Sequence, residues 1–166
     1  MQELICFGYF IIFVEPYLNL MKQLHIKTIL MIDDDPDDCL LLSQAIKEVF
    51  SEITLLIMEG CSLINNMSNF KPVPDCIFLD LNMPVLNGFE CMDMIRSNKQ
   101  FDNTPIFIYS TSSDISQIRQ CYLKGAQLYI QKPSSFSKIK EIIRKISVIN
   151  ISDLKEHQIH CKIFTG

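Results

Sequence analysis

Residues 28–36 read Thr-Ile-Leu-Met-Ile-Asp-Asp-Asp-Pro, and this stretch decides the fold. Its first five residues form an apolar run of strand length, and three consecutive aspartates follow directly. A strand that is apolar at successive positions is typical of a parallel sheet covered on both faces. Pro36 fits the first turn of a helix, with Asp35 as its cap and Asp37 and Asp38 complementing the positive end of the helix dipole. The stretch therefore predicts a buried strand followed at once by a helix.

The same alternation recurs along the next hundred residues. Four more apolar runs of strand length occur, at residues 53–58, 76–79, 106–109 and 128–130. The segments between and after them carry apolar residues at helical spacing. Five strands alternating with five helices predict an α/β fold with a doubly wound, right-handed parallel sheet and helices on both faces.

The chain length fits one domain with short additions at both ends. The 166 residues are 48% hydrophobic and 20% charged, which is an ordinary globular composition. We expect an N-terminal extension over residues 1–26, a domain over 27–147 and a C-terminal tail over 148–166. Within the extension, residues 4–14 are nearly all apolar, and two interpretations stay open. Either translation naturally begins at Met21 and residues 1–20 are not native, or the run touches a membrane or a partner.

Composition also disfavours several classes of function. The net charge of −4 lacks the basic excess of a nucleic-acid-binding domain. No apolar run approaches the roughly 18 residues that a membrane-spanning helix needs. The seven cysteines are scattered and form no Cys-x-x-Cys pair, which argues against a disulfide framework or a zinc ribbon. The simplest interpretation is a protein of the reducing cytoplasm.

Polar residues of complementary chemistry stand at the ends of the predicted strands. They are Asp33 and Asp34 after the first, Asp80 after the third, Ser110 after the fourth and Lys132 after the fifth. Ligands of open α/β sheets bind outside the carboxyl ends of the strands. Three carboxylates in one crevice repel each other and should raise one pKa, and Mg²⁺ removes that conflict. An aspartate can attack phosphorus, and an ammonium and a hydroxyl can bind the phosphoryl oxygens, so phosphoryl transfer is predicted.

Together these motifs resemble the receiver domain of two-component response regulators. The resemblance rests on the runs Ile-Leu-Met-Ile-Asp-Asp-Asp-Pro at 29–36 and Phe-Leu-Asp-Leu-Asn-Met-Pro at 78–84, on Asn87-Gly88 and on Lys132-Pro133. Ser110 follows Asp80 by 30 positions and precedes Lys132 by 22, which are usual family separations. The resemblance covers residues 27–147 and implies the strand order 2-1-3-4-5. Asn87-Gly88 matches the tight turn that opens the third helix, where glycine can take a positive φ.

The resemblance implies a role for each residue of the acidic site. Asp80 would be the phosphoacceptor, and Lys132 would bind the phosphoryl group. Asp33 and Asp34 would form the acidic pair, with Asp34 a direct ligand of Mg²⁺ or Mn²⁺ and Asp33 acting mostly through water. The backbone carbonyl of Asn82 would be a further metal ligand.

The resemblance also implies the parts of a conformational switch. Ser110 would move to bind the phosphoryl group, and Tyr129 would rotate into the space it leaves. The peptide bond before Pro133 would be cis. The side chains of Asn82 and Ser112 occupy positions that tune hydrolysis of the aspartyl phosphate.

The predicted function is a phosphorylation-dependent interaction switch and not an enzyme acting on another substrate. The expected partners are a sensor histidine kinase or a phosphotransfer protein, and a downstream protein that the sequence does not identify. The resemblance also allows a phosphorylation-dependent homodimer. The 19 residues after Ser147 are too few for a DNA-binding output domain.

Two alternative functions stay open. One is a Mg²⁺-dependent phosphohydrolase with an aspartyl nucleophile. Such enzymes usually carry a second acid two residues after the nucleophile, where this chain has Asn82. The other is a receiver-shaped scaffold that is never phosphorylated.

The acidic cluster also predicts an effect on stability. Without Mg²⁺, Asp34→Ala is expected to melt at a higher temperature than the parent, because it relieves the repulsion between the carboxylates.

Overall fold

A parallel β-sheet forms the centre of the structure. The computed structural model describes residues 26–50, 52–66, 70–147 and 163–164. The strands are β1 (Thr28–Ile32), β2 (Thr54–Met58), β3 (Cys76–Leu79), β4 (Ile106–Ser110), β5 (Leu128–Gln131) and β6 (Ile163–Phe164). The helices are α1 (Pro36–Val49), α2 (Gly60–Asn66), α3 (Gly88–Ser97), α4 (Ile115–Leu123) and α5 (Phe136–Ser147), with a 3-10 turn at Lys99–Phe101.

The strands follow the order β2-β1-β3-β4-β5-β6, and each neighbouring pair is parallel. The predicted order 2-1-3-4-5 is therefore confirmed for the first five strands. The sixth strand is an addition, because it lies in the segment predicted as a tail. Its two residues pair with Tyr129 and Ile130 of β5. The outer edge of β5 offers unpaired backbone groups that a further strand can satisfy.

Apolar side chains cover both faces of the sheet, as the continuous apolar runs predict. All five residues of β1 are buried, and its four apolar residues alternate between two clusters. Ile29 and Met31 face the cluster that contains α1 and α5. Leu30 and Ile32 face the cluster that contains residues of α2, α3 and α4. Because the strands of this two-sided sheet are parallel, the polar residues that follow them lie at one edge.

Gly88 has a different role from the one predicted. Among the described residues, the one glycine with positive φ is Gly125, so Gly88 does not use the positive φ that glycine permits there. Gly88 is the first residue of α3, and a Cβ there would collide with the carbonyl oxygen of Asp80 and come within 2.7 Å of the Cα of Leu81. Glycine is thus required for the close approach of α3 to the backbone of the site aspartate.

No helix within the described ranges is long and apolar enough to cross a bilayer. The predicted extension falls almost entirely on residues outside those ranges, as does most of the predicted tail.

Candidate functional site

A cavity of about 470 Å³ lies at the carboxyl edge of the sheet. Its lining includes Asp34 from the loop after β1, Asp80 and Asn82 from the loop after β3, Thr111 from the loop after β4 and Lys132 from the loop after β5. The loops meet here because the strands are parallel and end at the same edge. The predicted convergence of strand-end residues is therefore observed for these loops.

The ammonium of Lys132 is the centre of the charged cluster. Its Nζ lies 3.0 Å from Oδ2 of Asp33, 2.7 Å from Oδ2 of Asp38 and 3.4 Å from Oδ2 of Asp80. The side chains of Lys132, Asp33 and Asp80 are only 6%, 1% and 6% exposed. Buried charges of this kind persist only when they are paired, so the ammonium and the carboxylates hold each other in place.

Two members of this cluster were not assigned to the site from sequence. The sequence predicts for Asp38 only an interaction with the dipole of α1, yet its carboxylate makes the shortest contact to Lys132. It predicts Tyr109 only as a strand residue, yet its ring centroid lies 5.4 Å from the Lys132 ammonium in a cation–π arrangement. The sequence signal for Asp38 is weak: it stands five residues after Asp33, and it faces the cluster only because of how α1 packs.

The environment of Asp33 raises the pKa of its carboxyl group. Burial is the largest cause; the amide of Asp35 and the ammonium of Lys132 oppose it, and the charge of Asp80 adds a smaller increase. The sequence predicts a raised pKa in this cluster, and the direction agrees. Loss of hydration, rather than the predicted mutual repulsion of carboxylates, is the larger cause.

Lys132 stays charged at neutral pH. Burial acts to lower its pKa, but the hydrogen bond to Asp38, the charge of Asp80 and the contact with Asp33 together raise it above its usual value. A permanently charged ammonium beside Asp80 can bind the oxygens of an incoming phosphoryl group.

Asp34 points toward a different neighbour. Its Oδ1 accepts a hydrogen bond of 2.7 Å from the backbone N–H of Gly60, the first residue of α2. Within the described part of the chain, no three His, Cys, Asp or Glu side chains are arranged to hold a metal ion. Asp34, Asp80 and Asn82 still line one cavity and offer hard oxygen donors. Mg²⁺ uses one or two carboxylates and keeps several waters, so this donor set fits it.

Replacement of Asp34 by Ala is expected to lower the free energy of unfolding by about 1 kcal/mol without Mg²⁺. The reason is the lost hydrogen bond to Gly60. The expected change is a loss of stability, whereas the sequence alone predicts a gain. Urea denaturation in the presence of a chelator measures it. Asp34→Asn is the control, since it removes the charge but keeps an oxygen that can accept from the Gly60 amide. An alanine variant more stable than the parent would show that repulsion outweighs the hydrogen bond.

The predicted switch residues form a hydrogen-bonded group behind the cavity. Ser110 is fully buried, and its Oγ accepts from Nδ2 of Asn82 at 3.2 Å and from the N–H of Ser112 at 3.4 Å. The ring of Tyr129 is also fully buried, and its hydroxyl donates to the carbonyl of Ser112 at 2.8 Å. The structure thus brings Ser110, Ser112, Asn82 and Tyr129 together, with the tyrosine turned inward.

The predicted cis peptide bond before Pro133 is wrong. Among the described residues, the cis peptide bond is the one between Lys71 and Pro72. The trans form of an X–Pro bond is intrinsically favoured by about 0.5–1 kcal/mol. Lys132 already reaches Asp33 and Asp80 from a trans backbone, so this geometry needs no cis bond.

The doubly wound sheet with carboxylates at its carboxyl edge defines an α/β protein with an acidic site at the topological switch point. Residues 29–144 match the family model described as the response regulator receiver domain, and the chain belongs to this family. Receiver domains are phosphoacceptor switches of two-component systems.

The individual relatives agree with this assignment. The chain is 29% identical over 120 residues to hybrid signal transduction histidine kinase L of Dictyostelium discoideum. The match covers 70% of this chain and 7% of that protein. The chain therefore spans less than a tenth of that relative. The phosphorylated cyanobacterial phytochrome response regulator RcpA is 25% identical, with a TM-score of 0.65 over 72% of this chain and 90% of the other. The Mn²⁺-bound form of response regulator Rcp1 shares the fold and is 23% identical. The TM-score is 0.64, and the match covers 72% of this chain and 91% of the other.

Proposed function

We propose that this chain is a receiver that accepts a phosphoryl group on Asp80 and thereby switches a protein-interaction surface. The observation that carries the proposal is the buried pair of Lys132 and Asp80, which line the acidic cavity and whose Nζ and Oδ2 lie 3.4 Å apart. A nucleophile and the cation for its phosphoryl group are thus already adjacent.

The backbone selects which oxygen of Asp80 reacts. Oδ1 accepts a hydrogen bond of 2.8 Å from the N–H of Leu81, whereas Oδ2 faces Lys132. Oδ2 is therefore the attacking oxygen. It forms a bond to phosphorus as the P–N bond of a phosphohistidine on the partner breaks, and the imidazole leaves with the electron pair. Lys132 holds the transferred oxygens during this step.

Mg²⁺, or Mn²⁺ in its place, would bind to Asp34, Asp80 and the carbonyl of Asn82 and supply neutralisation of the phosphoryl charge. Asp33 would contribute mostly through water, because its own carboxylate bonds Lys132 and the amide of Asp35.

The switch begins at Ser110. Its hydroxyl leaves Asn82 and Ser112 to donate to the phosphoryl group, which adds nearly two negative charges. Movement of Ser110 and Ser112 also removes the carbonyl that holds the Tyr129 hydroxyl, so the tyrosine repositions. The surface formed by α4, β5 and α5 changes with it, as a shift between two populated states. The side chains of Asn82 and Ser112 then set how fast the aspartyl phosphate hydrolyses by itself.

The proposed organisation is an extension over 1–26, the receiver over 27–147 and a tail over 148–166. The phosphodonor is a sensor histidine kinase or a phosphotransfer protein, and the output is a downstream protein or a phosphorylation-dependent homodimer. The net charge of −4 disfavours nucleic acid as a partner. The proposed location is the cytoplasm.

Phosphorylation by a small donor tests this function. The protein is incubated with Mg²⁺ and acetyl phosphate, and intact mass is measured before and after base treatment. The expected result is one acid-stable, base-labile phosphoryl group per chain, absent when a chelator is added. Rapid turnover of the donor without a stable adduct would instead indicate the phosphohydrolase. No adduct and no turnover would indicate the unphosphorylated scaffold.

A further inference from the structure

Asp38 makes the closest contact to the ammonium that the proposed reaction needs. Its Oδ2 lies 2.7 Å from Nζ of Lys132, against 3.0 Å for Asp33 and 3.4 Å for Asp80. An ammonium has three N–H donors, and here it already donates hydrogen bonds to Asp33 and Asp38. The contact with Asp80 is an ion pair at longer range.

The backbone of α1 fixes where this third carboxylate stands. Asp35 caps the helix and accepts hydrogen bonds from the N–H groups of Asp37 and Asp38. This cap sets the first turn so that Asp38 faces the cavity. Its side chain is 31% exposed, whereas those of Asp33 and Asp80 are almost fully buried. Asp38 therefore lies at the solvent-exposed part of the cavity lining.

We propose that Asp38 is a positioning residue that holds Lys132 on the α1 side of the cavity and competes with the phosphoryl group for its ammonium. This inference rests on the proposed function, because a phosphoryl group must arrive at Asp80 for the competition to exist. Asp38 thereby weakens the phosphorylated state and limits how closely the ammonium approaches Asp80, at 3.4 Å in the unmodified protein.

The competition has two consequences of opposite sign. A phosphoryl group brings nearly two negative charges, so loss of the Asp38 charge favours its binding. Without Asp38, the ammonium is also free to turn toward Asp80. Binding of a divalent cation then becomes weaker, because the cavity has lost one carboxylate charge and the ammonium neutralises Asp80 more fully. General damage to the site would weaken both ligands together.

Calorimetric titration of the full chain tests this with two probes. Mg²⁺ alone measures cation binding, and beryllofluoride at saturating Mg²⁺ measures binding of a phosphoryl mimic. In Asp38→Asn we expect beryllofluoride to bind about fivefold more tightly and Mg²⁺ about threefold more weakly. The expected changes are small because a partly exposed ion pair contributes little free energy. Asp37→Asn is the control, since it removes the same charge from the same helical turn at an exposed position, and its affinities should stay closer to the parent for both probes.

Each remaining outcome has a defined meaning. If Asp38→Asn weakens both probes, or behaves like Asp37→Asn, the competition is overturned while the proposed function stands. If the parent itself binds neither probe, the proposed function fails and this inference falls with it. A structure of Asp38→Asn should show Nζ of Lys132 clearly closer to Oδ2 of Asp80 than the 3.4 Å of the parent; an unmoved ammonium would contradict the proposal.

Discussion

Replacement of Lys132 by Met is expected to lower the free energy of unfolding by about 3–5 kcal/mol at neutral pH. Methionine has similar length but no charge, so Asp33 and Asp80 remain buried without their cation. Removal of one partner from a buried ion pair costs much more than the pair itself contributes, since the remaining charges are neither hydrated nor neutralised. Urea denaturation without Mg²⁺ measures the loss.

The pH dependence of this loss of stability tests whether unpaired buried carboxylates cause it. Burial already raises the pKa of Asp33 in the folded protein, and loss of Lys132 raises it further. A carboxyl group with a raised folded pKa destabilises the protein above that pKa and has no effect below its unfolded pKa of about 3.9. The difference in stability between Lys132→Met and the parent should therefore shrink as the pH falls toward about 4.

Lys124→Met is the matched control. Lys124 also pairs with an aspartate, Asp93, but the side chain of Asp93 is 63% exposed. Water can replace that pair, so the expected loss is below about 1 kcal/mol. Equal losses in Lys132→Met and Lys124→Met would contradict the account of a buried charge cluster.

The phosphoryl adduct is expected to disappear completely in Asp80→Asn. An amide is not a nucleophile toward phosphorus, and the replacement keeps the size of the side chain and an oxygen that can accept from Leu81. Removal of one buried carboxylate also reduces repulsion with Asp33, so the variant should fold. Intact mass after incubation with acetyl phosphate and Mg²⁺ measures the adduct.

Asp93→Asn is the control for this loss, because it makes the same change on the exposed surface of α3. It should carry the adduct at the parental level. Adduct at the parental level in Asp80→Asn would show that another residue is the phosphoacceptor and would contradict the proposed function.

The sequence predicts the sheet well because its strands are covered on both faces. Continuous apolar runs such as Cys76–Leu79 mark the strands, and the polar residues that follow them must lie at one edge of a parallel sheet. The pairing of β5 with Ile163–Phe164 could not be predicted from an apolar run. A two-residue strand has no periodicity of its own and forms because an open edge is nearby.

The details of the site depend on packing that no local pattern encodes. Asp38 reaches Lys132 because α1 and α5 pack on the same face of the sheet, which fixes the rotation of α1. Asp34 turns to Gly60 because α2 begins beside it and presents a free N–H. Both contacts join residues that are far apart in the chain, and spacing alone reports neither.

The structure of the full chain with Mg²⁺ and beryllofluoride bound is the most direct test of the central claim. The account predicts one Mg²⁺ bound by the carboxylates of Asp34 and Asp80 and by the carbonyl of Asn82. It predicts the beryllium on Oδ2 of Asp80, with Lys132 donating to a fluoride. A metal ion bound elsewhere, or a mimic bound out of reach of Lys132, would contradict the account.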